Sequence, residues 1–330
     1  MKKLLALLLA GVMVAGLAAC GDTTPAEPAD DAGDAGDTVY TVGICQLVEH
    51  VALDAANQGF RDALIDEFGE DGVKFDNQNA QNDSNTCSTI INSFVSNNVD
   101  LILGIATPAL QAAAAGTNEI PVLGTAITEY GVALEIADFD GVVGGNISGT
   151  SDLPLLDEQA AMIQEWFPDA NNVGLLYCSA EPNSQYQVDQ VSAALEEMGY
   201  TCTYYAFADS NDLAAVCTTA ANESDVIYVP TDNTAAANTG IIDNICRPMK
   251  VPVIAGEEGI CSVCGVATLS ISYYDLGYTT GQMAAKILKG EADISTMPVE
   301  YTTVTKKYNE AICTELGLPV PDGYEAIAAE

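Results

Sequence analysis

The sequence predicts an α/β protein whose two lobes are each built on a doubly wound parallel sheet. The chain has 330 residues, which is more than one hydrophobic core usually organises. Short β-branched runs alternate with longer amphipathic runs, and this alternating series occurs twice along the chain. Because strands that alternate with helices form parallel sheets covered on both faces, two series predict two lobes.

The first series starts with a strand over residues 39–46. The apolar residues that follow recur at spacings of three and four, which places them on one helical face: Leu53, Ala56, Phe60, Leu64 and Phe68. Further strands are predicted over residues 73–78, 100–105, 120–125 and 142–147. One helix carries Ile90 and Ile91, and another begins at Pro108.

The second series repeats this order after a helix through Ala160, Ile163 and Phe167. Its strands are predicted over residues 173–178, 201–206, 225–230 and 251–255. The helices between them are predicted over residues 188–198, 213–221 and 235–246. The same strand–helix unit therefore builds both lobes.

The amino terminus has the pattern of a bacterial lipoprotein. Two lysines precede an apolar run over residues 4–17, which is shorter than the roughly 20 residues of a membrane span. Small residues stand directly before Cys20, as a signal peptidase requires. We expect residues 1–19 to be a cleaved signal peptide and Cys20 to carry a diacylglycerol with palmitate-type chains; an uncleaved membrane anchor is the alternative. Two acyl chains suffice for stable anchoring, so we expect the protein on the extracytoplasmic face of the cell membrane.

Residues 20–37 follow as an acidic linker without a large apolar side chain, and they cannot build a core. The whole chain carries a formal net charge of −37, and loss of Lys2 and Lys3 makes it more negative still. A polyanion would be repelled, so nucleic acid is excluded as a partner. The charge leaves the lipid, rather than a basic surface, as the means of membrane attachment.

Polar residues follow the carboxyl ends of the predicted strands. They form six loops, at residues 46–50, 106–108, 125–130, 179–184, 230–234 and 255–259. Ligands of open α/β sheets bind at this edge. If the two lobes face each other across a hinge, all six loops line one cleft.

Several of these loops resemble a known family. The strings at residues 46–50 (QLVEH), 105–108 (IATP), 229–234 (VPTDNT), 255–259 (AGEEG) and 273–277 (YYDLG) are similar to the tryptophan/tyrosine-type substrate-binding lipoproteins of ABC importers. The resemblance spans about residues 39–318. It implies a type I periplasmic binding protein, with two doubly wound Rossmann-like lobes joined by a three-segment hinge.

The resemblance also implies boundaries, a ligand and partners. The N-terminal lobe is expected to comprise residues 38–148 and 257–290, the C-terminal lobe residues 149–256 and 291–330, with residues 266–272 in the first lobe. The implied ligand is an aromatic amino acid, delivered to a membrane permease that a cytoplasmic ATPase drives; we expect the receptor to be a monomer. A receptor for a sugar, nucleoside or branched-chain amino acid, a surface sensor, or an enzyme remain alternatives.

The chemistry of an amino acid selects candidate residues from the loops. Arg61 and Arg247 fall in predicted helices, which argues against a guanidinium clamp for the carboxylate. We expect backbone N–H groups at two helix starts, near Thr107 and near Asn183 and Ser184, to bind it, aided by hydroxyls that include Thr125. Asp232 and Glu257 are the candidates for the ammonium.

Four further residues complete the candidate site. Glu49 or the single histidine, His50, is expected to line the cleft or to close a turn. Asn233 and Thr234, with Asp232, either contact the ligand or cap the following helix. Capping is equally the alternative for Thr107, Asn183 and Ser184, and solvent exposure is the alternative for Glu257.

No chemistry is predicted. His50 has no nucleophile or metal partner in these loops, and the catalytic motifs of serine hydrolases, zinc proteases and phosphate-binding loops are absent from the sequence. We therefore predict no catalytic residue, no cofactor and no metal. Cys45, Cys87, Cys178 and Cys217 are expected in the core. For Cys261 and Cys264, a loop disulfide, a redox role and zinc remain open, although zinc would need two further ligands.

Overall fold

The computed structural model describes residues 38–328. The predicted signal peptide, Cys20 and the linker lie outside the described residues. Within residues 38–328, no helix combines the length and the apolar character needed to cross a membrane.

The described chain alternates strands and helices as predicted. The strands are β1 (Tyr40–Gln46), β2 (Val73–Asn79), β3 (Leu101–Ile105), β4 (Val122–Ile127), β5 (Ile147–Ser151), β6 (Asn172–Cys178), β7 (Thr201–Phe207), β8 (Val226–Val229), β9 (Val253–Ala255), β10 (Ala267–Ser270), β11 (Glu300–Tyr301), β12 (Thr305–Tyr308) and β13 (Glu325–Ala326). The helices are α1 (Val51–Phe68), α2 (Ser84–Ser96), α3 (Thr107–Gly116), α4 (Tyr130–Ala133), α5 (Leu156–Trp166), α6 (Pro182–Glu197), α7 (Ser210–Glu223), α8 (Asn233–Ala236), α9 (Thr239–Met249), α10 (Glu258–Cys264), α11 (Tyr273–Leu288) and α12 (Glu310–Leu316). A short 3₁₀ helix, Ile294–Thr296, precedes β11.

Two sheets form the two lobes, which confirms the predicted fold class. The first sheet has the order β11-β5-β4-β3-β1-β2, and its strands are all parallel. The second has the order β13-β12-β10-β9-β8-β6-β7, in which β10 and β12 form the one antiparallel pair, so that β12 and β13 run opposite to the other strands. Strands β1, β3 and β4 read as nearly continuous buried runs, as expected of strands covered on both faces.

The lobe boundaries differ from those the resemblance implies. Strand β10, expected in the first lobe, pairs with β9 of the second sheet, where Ala267 lies opposite Ile254. Its apolar residues pack into the core of that lobe. The chain therefore crosses between the lobes after β5, between β10 and α11, and between β11 and β12, rather than near residues 148, 257 and 290.

Two further expectations are corrected by local backbone chemistry. Residues 142–146 are a loop and the strand begins at Ile147, because Gly144 and Gly145 both adopt positive φ. The predicted helix over residues 235–246 is two helices, α8 and α9, which are separated at Ala237 and Asn238.

Helices α1 and α11 cross at close range in the first lobe. A Cβ atom on Gly277 would lie 1.9 Å from the carbonyl oxygen of Ala56, and one on Gly59 would lie 2.1 Å from that of Tyr274. Glycine at these positions lets the two backbones touch. Through this contact α11 returns to the first lobe after the second crossing.

The cysteines expected in the core are buried there. Cys45 and Cys87 lie in the first lobe and Cys178 and Cys217 in the second. Cys261 and Cys264 lie on α10 rather than in a loop, and both are buried free thiols.

Candidate functional site

The carboxyl ends of both sheets face one cleft, and its hinge end holds a buried carboxylate. Asp152, in the connection after β5, is 4% exposed. Its Oδ2 accepts a hydrogen bond of 2.9 Å from the hydroxyl of Tyr273, and the Thr128 side chain is a further partner. Its Oδ1 is buried without a hydrogen-bond partner among the described residues. Burial raises the pKa of Asp152 to about 6.

A second buried carboxylate lies near the first. Glu257 is the N-cap of α10, and its oxygens accept from the backbone N–H groups of Gly259 and Ile260, both at 2.5 Å. Burial raises the pKa of Glu257 to about 7, with Asp152 among the nearby charges that add to the effect. None of the ion pairs within residues 38–328 includes either carboxylate. The hinge end of the cleft therefore carries acidic groups that lack a counter-cation.

The first lobe contributes a helix start to the cleft. Ala106, between β3 and α3, has φ 77°, and Ala126, near the end of β4, has φ 55°. Such values are costly for a residue with a Cβ, and they concentrate at functional sites. The turn at Ala106 leads into α3 at Thr107, which is buried. The N-cap makes no side-chain hydrogen bond.

Thr125, a predicted hydroxyl donor to the ligand, instead makes a hydrogen bond within the first lobe. Its Oγ1 lies 3.1 Å from that of Thr150, which in turn lies 2.8 Å from the Oγ1 of Thr280 on α11. All three residues are fully buried. This chain of hydroxyls joins β4, β5 and α11.

Asp232, the other predicted partner of an ammonium, is the N-cap of α8. Its Oδ1 accepts from Ala235 N at 2.8 Å and its Oδ2 from Cys178 N at 2.6 Å. Burial and the neighbouring Glu181 raise its pKa. The Ser184 side chain is also a hydrogen-bond partner of this carboxyl. Capping therefore accounts for Asp232, whereas Ser184 lies within α6 and does not cap it.

Asn183 retains a free acceptor. Its Nδ2 donates to the carbonyl of Thr231 at 3.2 Å, whereas its Oδ1 is buried without a partner among the described residues. Asn183 follows Pro182 at the start of α6 and is 4% exposed. It is the predicted site residue of the second lobe that keeps an unpaired buried polar atom.

Asn233 and Thr234 both receive partners from the opposite lobe. Asn233 Oδ1 lies 3.3 Å from His50 Nε2, and Thr234 Oγ1 accepts from Asn82 Nδ2 at 2.9 Å. Burial lowers the pKa of His50, against the effects of Asn233 and Glu181. Glu49, its neighbour, is exposed at the rim of the cleft.

Three openings lie along this interface. A cavity of about 170 Å³ lies between Glu49 and His50 of the first lobe and Glu257 of the second. A smaller one of about 90 Å³ lies beside Asn82 and Glu181. A groove of about 580 Å³ reaches Glu257 and Tyr273 along residues 270–275 of the second connection. Within residues 38–328, no three His, Cys, Asp or Glu side chains converge as a metal ion would require.

Residues 41–330 match the family of ABC transporter substrate binding proteins. The chain belongs to this family. It is 35% identical to a tyrosine-binding protein of Clostridioides difficile over 302 residues, which are 90% of this chain and 87% of that protein. The match confirms the resemblance that the loop sequences carry.

Two solved structures of substrate-binding proteins are similar to this chain. One is an ABC domain from Streptococcus pneumonia in complex with L-Trp, with 32% identity, a TM-score of 0.83, and coverage of 88% of this chain and 100% of that one. The other is the ligand-free, open structure of a substrate binding protein with adhesive properties from Clostridium difficile, with 37% identity, a TM-score of 0.67 and the same coverage. The fold is that of the type I periplasmic binding proteins.

The two TM-scores indicate how the two lobes are arranged relative to each other. This chain shares more of its sequence with the open structure, yet its backbone superposes better on the complex. The hydrogen bonds that His50 and Asn82 make to the second lobe agree with this. The lobes of this substrate-binding protein are therefore in contact across the cleft.

Two residues of this cleft, Asp152 and Glu181, are not among those predicted from the sequence, whereas Tyr273 belongs to the string at residues 273–277 that carries the family resemblance. Asp152 lies in a connection whose position depends on the lobe boundaries, and the strand predicted over residues 142–147 left Asp152 beyond its edge. Strand β5 ends at Ser151, later than the predicted strand. The polar pair Ser151 and Asp152 is the sequence signal that marks this strand end. Glu181 lies in one of the six polar loops. The helix start directly after it favoured Asn183 as the predicted ligand contact.

Proposed function

We propose that this substrate-binding protein is an extracytoplasmic receptor of an ABC importer, and that it binds an aromatic amino acid in the cleft between its lobes. The observation that carries the proposal is the free Oδ1 of Asp152, buried where two connections between the lobes meet. A receptor of this kind performs no reaction, and it is expected to act as a monomer.

The ammonium group of the ligand binds at Asp152. A buried charged group is stable only when it is paired, and no described side chain supplies the cation. Glu257 adds negative charge nearby, although both of its oxygens already accept backbone hydrogen bonds. An ammonium ligand therefore completes this end of the cleft, and Asp152 replaces Asp232 as its principal partner.

The carboxylate of the ligand binds toward the start of α3. Helix starts carry a partial positive charge, and this one begins at the buried Thr107. Pro108 has no N–H and those of Ala109 and Leu110 donate to the carbonyl of Ala106, so the N–H of Thr107 is the donor proposed for the carboxylate. The start of α6 suits an anion less well, because the carboxylate of Glu181 already lies there. Arg61 and Arg247 lie in α1 and α9, and the Arg247 guanidinium pairs with Asp243 at 2.6 Å.

The aromatic side chain is proposed from the relatives. The tyrosine-binding protein and the domain in complex with L-Trp share 35% and 32% of their aligned sequence with this chain. Asn183 Oδ1 offers a buried acceptor in the second lobe for a polar ligand group.

The receptor is proposed to be held at the membrane by lipid on Cys20, with residues 20–37 as its tether. Anchoring raises the local concentration of the receptor beside the permease to which it delivers its ligand and which a cytoplasmic ATPase drives. Mass spectrometry of the protein from membranes tests this. We expect a chain that begins at a diacylglycerol-modified Cys20, and a chain that retains residue 1 and no lipid would contradict it.

Ligand binding is tested by thermal unfolding of the purified protein with each amino acid and with representative sugars and nucleosides. A ligand at a hundred times its Kd stabilises the folded state by about 2.7 kcal/mol, which raises Tm by several degrees. We expect this increase with tyrosine, tryptophan or phenylalanine. An increase with a sugar or nucleoside alone would assign the receptor to a different solute.

A further inference from the structure

Two hydrogen bonds join the lobes at the end of the cleft away from the hinge. His50 and Asn82 follow β1 and β2, which lie at the opposite side of the first sheet from the hinge strands β5 and β11. Their partners, Asn233 and Thr234, follow β8, which is separated from the hinge strands β10 and β12 by β9. Rotation about the hinge therefore breaks these bonds when the cleft opens.

A buried carboxylate lies directly beneath both partners. Glu181 is 3% exposed. Its Oε2 accepts from Asn233 N at 3.0 Å and from Asn233 Nδ2 at 2.7 Å. Its Oε1 accepts from Thr234 N at 2.8 Å and from Thr234 Oγ1 at 2.7 Å. Four donors of Asn233 and Thr234 thus converge on one side chain, and Asn183 Nδ2 adds a longer hydrogen bond of 3.5 Å to its Oε2.

These contacts fix which atoms the second lobe presents to the first. Because Asn233 turns its NH₂ group toward Glu181, its Oδ1 faces His50 as an acceptor. The hydroxyl hydrogen of Thr234 is directed to Glu181, so the oxygen accepts from Asn82. The first lobe supplies the two donors, which are the Nδ2 of Asn82 and the Nε2–H of His50. Both oxygens of Glu181 accept hydrogen bonds from these residues, so the side chain enforces this polarity at both positions.

We propose that Glu181 is a positioning residue for closure of the receptor: it orients Asn233 and Thr234 as acceptors for the donors His50 and Asn82 and so holds the lobes together over a bound ligand. The hydrogen bonds of the Glu181 side chain all stay within the second lobe. The proposal rests on the proposed function, because affinity for the ligand is the quantity that the closed state increases.

Two double-mutant cycles test the coupling. The single variants are Glu181→Gln, Asn82→Ala and His50→Ala, and two double variants combine Glu181→Gln with each of the others; Glu197→Gln, at the exposed last residue of α6, is the control. Each is titrated calorimetrically with L-tyrosine and L-tryptophan, and small-angle scattering records the radius of gyration with and without ligand. In Glu181→Gln the amide NH₂ must replace one acceptor oxygen, so one of the two interlobe acceptors is expected to turn away.

We expect Glu181→Gln and Asn82→Ala each to raise Kd about five- to tenfold. If Thr234 is the acceptor that turns away, the double variant with Asn82→Ala is expected to be little worse than the weaker-binding single variant, because both substitutions remove the same contact; if Asn233 turns away, the same is expected of the double variant with His50→Ala. The contraction on ligand binding is expected to be reduced in each of these variants and unchanged in Glu197→Gln.

Additive effects on Kd in both cycles, or a full contraction in Glu181→Gln, would overturn the proposal. Should that variant fail to fold, the pair His50→Ala and Asn82→Ala removes both donors from the surface of the first lobe, and unchanged affinity in it would overturn the proposal equally. The wild-type protein separates the two hypotheses. If it binds no amino acid, the proposed function fails; if it binds and contracts while the variants match it, only the role of Glu181 fails.

Discussion

The hydroxyl of Tyr273 donates a hydrogen bond of 2.9 Å to Oδ2 of Asp152. Asp152 lies in the first connection between the lobes and Tyr273 at the end of the second, so one bond ties two connections of the hinge. Its other oxygen is free and buried. A ligand that binds Asp152 is therefore coupled to the part of the molecule about which the lobes rotate.

Replacement of Asp152 by Asn is expected to weaken the binding of amino acids about ten- to a hundredfold, because a hydrogen bond to a charged group is lost. The near-isosteric amide keeps an acceptor for Tyr273, so the fold is expected to persist. Calorimetric titration measures the effect. Asp71→Asn, at an exposed turn, is the matched control, and equal affinities in the two variants would contradict the role of Asp152.

The affinity is expected to rise as the pH increases from 5 to 7.5. The pKa of Asp152 is raised to about 6 in the ligand-free protein, so at pH 5 the group must lose a proton before it pairs with an ammonium. Above pH 6 that cost disappears, and the increase approaches tenfold per pH unit at its steepest. Titrations at several pH values in wild type and Asp152→Asn test this. A dependence that persists unchanged in the variant would place its origin elsewhere, for instance at Glu257, whose pKa is about 7.

In the ligand-free protein, ionisation of Asp152 has the opposite effect: it lowers the free energy of unfolding as the pH rises. The raised folded-state pKa means that the unfolded chain loses the Asp152 proton first as the pH rises, so this group destabilises the fold progressively between about pH 4 and pH 6. We expect the free energy of unfolding of Asp152→Asn, measured in urea, to gain about 2–3 kcal/mol relative to wild type across this interval. A constant difference between the two proteins would show that Asp152 is ionised without penalty.

The contact of α1 with α11 predicts a large effect from one methyl group. Gly277→Ala places its Cβ against the carbonyl of Ala56 at 1.9 Å, so the helices must separate, at an expected cost of about 1–3 kcal/mol. Gly240→Ala, on α9 with open space around it, is the control and is expected to stabilise the protein by up to about 1 kcal/mol. Urea unfolding compares the two. A neutral Gly277→Ala would mean that the helices are not held at this distance.

The period of the apolar residues was sufficient to predict the two lobes, since β1 to β4 and α1 to α3 follow from local alternation. The same period did not predict where the chain crosses between the lobes. Strand β10 is a run of only four buried residues, two of them polar, and nothing local decides which sheet it extends. Its pairing with β9 is a tertiary choice. The site was limited in the same way: caps such as Asp232 follow strand ends as ligand contacts do, and only hydrogen bonding separates them from Asp152 and Glu181.

The central claim is that this receptor recognises an amino acid through its ammonium at Asp152. Calorimetric titration of the wild-type protein with L-tyrosine and with its deaminated counterpart, 3-(4-hydroxyphenyl)propionate, tests it most directly, with L-tryptophan and 3-indolepropionate as a second pair. We expect the amino acid to bind and the deaminated acid to bind at least tenfold more weakly, with the gap largely closed in Asp152→Asn. Equal binding of the two members of each pair to the wild-type protein would contradict the claim.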